Sequence, residues 1–450
     1  MKSRNLFKSV LILGVLFVFA GTILPGSLTT AVPFVQHIAP SNDPSGFTDW
    51  FNLQTAFDAA SGDPGAVIEL QAGTYIIDEA VVIKDFVGTF KGAGSDQTTI
   101  RTPGGNYLFP KITGGPVWDA PAMFVFYYEQ LGEAHTPAHI TISDMTWHAI
   151  GQTEGWVTHV PVLVDQFAYL GVVFGRVTGI EDNEISYVST TVEHMQFLGE
   201  PYSEAILGDW NNLNGFIMEP EFFSDGGFPP EFFTEKWLQG TYTCTNTLMQ
   251  DIAYGYNVFR ARDSTITVGG YPHSANTFIN GYTGVDVLNV RNTVVEVSYC
   301  ETYDCSGVLI ELYDEDLAPS DFTIEHNTIR RVPYSWFAAV EVWNYGPENI
   351  GSLTIAYNTF YSEHYNPPYA PIFCRGAHNA QILNNIIQGT GKTGIVLFVS
   401  SGCYLRGNNL ILYHETDQDI YLGPNTSDCT VVLGAADTIT DYGTNNHIQG

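Results

Sequence analysis

Basic residues are scarce in this chain of 450 residues: 17 Lys and Arg stand against 48 Asp and Glu, a formal net charge of -31. The deficit argues against a nucleic-acid partner, because phosphate binding needs a basic stripe. Charged residues of both signs total only 14%, where an average globular protein has about 25%. The acidity is thus a shortage of cations rather than a coat of anions; it favours solubility and leaves cation binding open. Cysteine is sparse too, at 6, and a chain this long does not need disulfide staples to hold a core. No second apolar run as long as Val10–Leu24 occurs. There is no EF-hand spacing, GxSxG, P-loop or HExxH. His135, His139 and His148 form no metal-ligand signature.

What is present begins with Lys2, Arg4 and Lys8 ahead of Val10–Leu24, a run shorter than the about 20 residues a membrane span needs. With the small residues Thr29, Thr30 and Ala31 behind it, the segment 1–31 reads as a signal peptide, a retained anchor being the alternative. The expected location is secreted or at the cell surface, with no membrane span once the signal is removed.

An internal repeat organises the rest: apolar, two residues, Asn, one residue, apolar. It reads IEDNEI at Asn183, IEHNTI at Asn327, IAYNTF at Asn358, ILNNII at Asn385 and LRGNNL at Asn408, with VEVSYC placing Ser298 at the Asn position. Recurrence at this spacing fits a coil of short strands, with Asn at one corner of each rung hydrogen-bonded to the Asn above and below. Between the corners run alternating strands, GVDVL, GVLIELY, AAVEVW, PIFCR and GIVLF. Their period of two puts one side-chain set inside the coil and the other outside. Cys403 and Cys429 align one rung apart, as a pair or as a thiol stack inside the coil; the stack is the favoured reading.

Before the coil, Leu53, Ala56, Phe57 and Ala60 recur at helical spacing, an amphipathic helix suited to capping its open end. The helix leads into GDPGAVIELQAGTYIIDEAVVIKDFVGTFKGAGSDQTTI. This opening, with the Asn rungs, resembles the pectate-lyase-like β-helix superfamily. The resemblance implies an all-β fold, a right-handed parallel β-helix solenoid over residues 45–450 with an N-terminal capping helix. It leaves activity open, since the superfamily includes lyases, glycoside hydrolases, sugar epimerases and non-catalytic surface proteins. Residues 190–241, aromatic and acidic, do not fit the rungs and read as an insertion, either a functional cover or a packing flap.

Stacking the strands places outward residues in columns. Asp286, Glu311, Glu341 and Phe373 are expected in one, and Leu288, Tyr313, Trp343 and Arg375 in the next. Carboxylates in successive rungs raise one another's pKa unless a cation neutralises them. They can hold a hard cation, act as a glycosidase pair or form a solvated face. Tyr313 and Trp343 offer flat faces for sugar rings. Arg260 and Arg375 can bind a sugar carboxylate, and the resemblance adds a lyase base as a role for one of them. Asp286, Glu311, Glu341 and Arg375 are therefore the candidate catalytic residues, and Tyr313, Trp343 and Arg260 the candidate substrate contacts. The turn YDEDLAPSD offers Asp314 and Asp316 as ligands for calcium, the one candidate cofactor. The expected function is binding or cleavage of polysaccharide or cell-surface glycan by a monomer, as a lyase or glycoside hydrolase. The alternative is a non-catalytic glycan-binding or structural β-helix.

Overall fold

Alternating apolar residues set the architecture. The computed structural model describes residues 33–104, 122–128, 137–150, 168–175, 185–199, 213–220, 237–314, 317–330, 338–362, 370–389, 393–412 and 418–450. The expected signal peptide, Asn183 and Asp316 lie outside these residues. The described strands form three parallel sheets of 15, 12 and 11 strands. One rung consists of Val294–Ser298, Glu301–Tyr303 and Ser306–Leu312, one strand in each sheet. The next, Ser320–Glu325, Thr328–Arg330 and Val340–Asn344, stacks on it with Val295 opposite Phe322, Thr302 opposite Ile329 and Ile310 opposite Val342.

Inward residues align from rung to rung. In the 12-stranded sheet, Val285, Val308, Val340, Ile372, Ile395 and Ile420 form one buried column. Each such side chain contributes about 1.5–3 kcal/mol by leaving water, so every rung adds its own increment of stability. Among the described residues, no helix is long and apolar enough to cross a membrane.

The Asn ladder is present, with one correction. Asn327, Asn358, Asn385 and Asn408 are buried and linked in series: each Oδ1 after the first accepts both the backbone N–H and the side-chain N–H of the Asn one rung before, at 2.9–3.0 Å. The position above Asn327 belongs to Cys300, whose N–H donates to Asn327 Oδ1 at 2.9 Å, and not to Ser298. Ser298 instead ends a strand of the 15-stranded sheet, opposite Glu325. Above Cys300 the ladder continues to Asn276, which accepts from Thr247 N–H. The residue before each ladder position from Cys300 to Asn408 has a positive φ: Tyr299 56°, His326 57°, Tyr357 56°, Asn384 53° and Gly407 67°. A left-handed residue turns the chain at the corner, and the buried amide satisfies backbone groups that the turn leaves unpaired.

The helix Phe47–Ala60 buries Leu53, Ala56, Phe57 and Ala60, the residues its periodicity singled out, together with Asp49. It covers polar groups at the first strands. Gln54 accepts from Val82 N–H at 2.9 Å and donates to Val82 C=O at 2.8 Å, standing in for a missing strand at the edge of the 12-stranded sheet. Asp49 accepts from Ser41 and Ile76 N–H groups at 2.7 and 2.9 Å. Gln54→Ala removes the mimic and is expected to cost about 1–2 kcal/mol, read as a lower denaturant midpoint.

Part of the stretch expected as an insertion belongs to the coil. Ile185–Glu193 and Gln196–Leu198 pair with strands on both sides, and Leu213–Glu219 lies between Ala168–Gly175 and Tyr254–Phe259. Trp237–Gln239 also pairs with Ile185–Glu193, and residues 200–212 and 221–236 lie outside the described residues. The six cysteines are free and buried. Cys403 and Cys429 follow each other in consecutive rungs, immediately before the paired Tyr404 and Thr430, as a thiol stack.

Candidate functional site

The outward face of the 12-stranded sheet carries two columns. One reads Asn257, Asp286, Leu309, Glu341, Phe373, Val396 and Tyr421; the other reads Phe259, Leu288, Glu311, Trp343, Arg375 and Phe398. This corrects the expected columns. Glu311 lies opposite Trp343 rather than Glu341, and Leu309 separates Asp286 from Glu341. Gly284 and Gly307 both precede the first inward residue, Val285 and Val308, and alignment on them gives this register. The expected columns displace one strand by two residues, which preserves the face and changes the neighbour.

The three acids still share one patch. Asp286 and Glu341 are two rungs apart, about 9.6 Å along the column, and Glu311 sits on the intervening rung beside Leu309. Asp286 and Glu341 are 4% and 3% exposed although they point away from the core, and Glu311 is half-buried. Tyr313 donates its hydroxyl to Glu311, and the Trp343 indole N–H donates to Glu341 Oε1. Glu341 Oε2 accepts from Ala338 N–H at 3.1 Å.

Burial pushes the Asp286 carboxyl well above the usual carboxylate range, and Glu311 adds to the rise. Burial also raises Glu311, against the pull of its Tyr313 hydrogen bond. Glu341 is pushed from 4.5 up to about 7, mainly by burial, with the bonds from Trp343 and Ala338 opposing. Glu341, near 7, is thus divided between its two forms at neutral pH, while Asp286 is held toward its protonated form, the pairing that acid–base chemistry requires. An acid of raised pKa keeps its proton in the fold after the unfolded chain has lost it. Stability accordingly falls as pH rises from about 4.5 to about 7, by about 3 kcal/mol for Glu341 alone. Thermal melting of the protein is expected at a higher temperature at pH 5 than at pH 8.

Two expected residues do other work. Arg260 is buried at the corner after Tyr254–Phe259, pairs with Asp314 at 3.3 Å and lies 4.6 Å over the Trp237 ring. Its side chain is 4% exposed, so it is no sugar contact as placed. Asp314 spends its carboxylate on Arg260 and Asn289, while Asp316 lies outside the described residues. Among the described residues no three His, Cys, Asp or Glu side chains form a group that could hold a metal ion. Arg375 lies over Tyr345 at 4.8 Å and Trp343 at 5.9 Å, on the aromatic flank beside the acids.

Sequence reasoning missed other parts of the face. Asn257, opposite Asp286, is 1% exposed, and neither amide atom has a hydrogen-bond partner among the described residues. Tyr254 is stacked on Tyr282 at 6.0 Å; burial raises its phenol first, and Asp286 and Glu311 raise it further. From Trp343 the rings of Phe373, Phe398, Tyr421 and Tyr442 follow at 5.1–6.1 Å between successive centroids. With Ala338, Ala370 and Val396, the rings from Trp343 to Tyr421 form an apolar cluster separate from the coil's core. The alternation that marks Phe373, Phe398 and Tyr421 as outward was the available signal.

No protein-family model and no curated protein sequence matches the chain. Among solved structures it is similar to the A-module of mannuronan C-5 epimerase AlgE4 from Azotobacter vinelandii, at 15% identity and a TM-score of 0.50, covering 89% of this chain and 95% of that one. It is equally similar to DFA-IIIase from Arthrobacter chlorophenolicus A6, without its lid and in complex with GF2: 13% identity, TM-score 0.50, covering 92% of this chain and 98% of that one. Three parallel sheets wound into one coil, superposing on these two proteins along most of its length, make this chain a right-handed parallel β-helix.

Proposed function

We propose that this protein, exported by its N-terminal apolar segment, binds polysaccharide along the outward face of the 12-stranded sheet and hydrolyses it there. The observation that supports this is the patch of Asp286, Glu311 and Glu341, outward yet buried and raised in pKa, beside Trp343 and Tyr313. Asp286, whose carboxyl burial and Glu311 hold toward its protonated form, protonates the glycosidic oxygen as it leaves. Glu341, two rungs away and with its pKa near 7, is the base that activates water, and Glu311 sets the charge between them. Separation across two rungs, about 9.6 Å before the side chains turn toward one another, suits inversion better than a retaining pair, whose carboxyls lie about 5–5.5 Å apart. Arg260 is closed off by Asp314, which weakens a lyase reading that uses it as base. Arg375 orders the aromatic flank.

The test is a screen of the protein against neutral and acidic polysaccharides, with and without calcium, reading new reducing ends by colorimetry. NMR of the first product then reports the anomer. Release of an inverted product supports the reading; saturable binding without any product defeats hydrolysis. That second outcome identifies a non-catalytic glycan-binding β-helix, a reading favoured by one detail: both oxygens of Glu341 already accept hydrogen bonds from the protein.

A further inference from the structure

Beyond the acids, the outward face changes character. Trp343, Phe373, Phe398 and Tyr421 alternate between its two columns on four consecutive rungs, and the Tyr442 ring continues the line 5.7 Å beyond Tyr421. Successive rings are tilted by 42–57°, so they present parts of their faces and not only edges. Trp343, Phe398 and Tyr421 are half-buried, and Tyr442 is 64% exposed. Gly423 makes room for the strip: a Cβ there would stand 2.5 Å from the Phe398 ring. From Trp343 to Tyr442 the strip crosses four rung steps, about 19 Å.

Charge along the strip is one-sided. In the two columns from Glu341 to Thr440, Arg375 is the sole cation among the register positions, and it lies over Tyr345 and Trp343. Arg260, the other guanidinium expected to meet a sugar carboxylate, is buried in its pair with Asp314. A polymer with a carboxylate on every sugar would bring a row of anions to three carboxyls, one guanidinium and a chain of net charge -31. A neutral glycan meets no such opposition. Its apolar ring faces fit aromatic rings, and its hydroxyls match carboxyls that accept and donate.

We infer that the ligand is a neutral glycan chain, lying with one end at Asp286, Glu311 and Glu341 and several sugar units running along Trp343, Phe373, Phe398, Tyr421 and Tyr442 toward the last rungs. The inference rests on the polysaccharide reading above and narrows it to a substrate class and a direction. The binding arm lies to one side of the acids, so chain length matters on that side.

Titration calorimetry of the protein at low salt, with mannan, inulin and mixed-linkage β-glucan against polygalacturonate, alginate and hyaluronate, tests it. At least one neutral polymer is expected to bind at least ten-fold tighter than any acidic one, with an affinity that does not change with salt. For oligosaccharides of that polymer, affinity is expected to climb from two units to about five, the reach of the strip. Tyr442→Ala, at an exposed ring, and Tyr421→Ala are each expected to weaken binding about ten-fold, with the melting temperature of Tyr442→Ala unchanged. Equal or tighter binding of an acidic polymer overturns the neutral class while leaving the polysaccharide reading in place. So does full affinity in Tyr442→Ala and Tyr421→Ala together, which removes the arm from the binding site. Failure of all six polymers to bind removes the polysaccharide reading and this inference with it.

Discussion

Glu341→Gln abolishes turnover of the polysaccharide substrate, lowering kcat by about 10²–10⁴-fold, and leaves the coil folded. Glutamine keeps the length and shape of the side chain but cannot take a proton from the attacking water. The wild-type carboxyl holds its proton up to about pH 7 because it is buried, and no neutral side chain reproduces that titration. The same substitution removes the Glu341 share of the pH dependence of stability, so melting temperature changes less between pH 5 and pH 8 than in the wild type. These two readouts separate chemistry from folding. Loss of kcat with a flattened stability profile assigns the base. A glutamine variant with full turnover and a flattened profile would leave Glu341 as a buried structural carboxyl and sink the assignment. Glu311→Gln is expected to lower turnover as well, since its charge raises Glu341, and to shift the acid limb of the rate profile to lower pH.

Asn358→Ala carries the largest expected cost in stability, about 4 kcal/mol or more. The side chain accepts from Asn327 N–H at 2.9 Å and Asn327 Nδ2 at 3.0 Å. It donates to Ile324 C=O at 2.9 Å and Asn385 Oδ1 at 3.0 Å. Alanine leaves two donors and a carbonyl without partners in a fully buried corner, and opens a cavity beside them. Asn408→Ala, at 9% exposure and with no later Asn among the described residues accepting its amide, is expected to cost about half as much. Urea unfolding of both variants measures the contrast. Equal, small losses would show the ladder to be a consequence of the coil rather than a support for it.

The same corner shows how far the sequence speaks. The Asn repeat and the period-two strands specify a stacked coil, because both express constraints local to one rung: a buried amide at the bend and an apolar residue at every second position. The capping helix was legible for the same reason, since Leu53, Ala56, Phe57 and Ala60 mark its buried face. Register was harder. Cys300 occupies the position assigned to Ser298, and Leu309 the position assigned to Glu311, each a shift of two residues. Alternation is blind to a shift of two, because every residue keeps its face. What fixes register is packing between rungs, here the residue that enters each strand and the side chain able to fill the corner. Of the candidate site, the acids and Trp343 were recognisable as outward residues. The closure of Arg260 by Asp314 was not, since they stand 54 residues apart in the chain. The aromatic strip was hidden too, because its rings alternate between columns and each comes from a separate rung.

The buried cysteines give the coil a set of internal reporters. Cys244, Cys300, Cys305, Cys374, Cys403 and Cys429 are unpaired, and burial raises Cys300 and Cys374 up to about 12. A native thiol so placed is shielded from alkylating reagents, because the thiolate is the reacting species and the reagent has no path to it. Modification then requires opening of the rung that holds the cysteine. Pulsed alkylation followed by peptide mass spectrometry would therefore time the exposure of each position. A chain that unravels from its last rungs would lose protection at Cys429 first and Cys244 last; one that opens as a single unit would lose all six together.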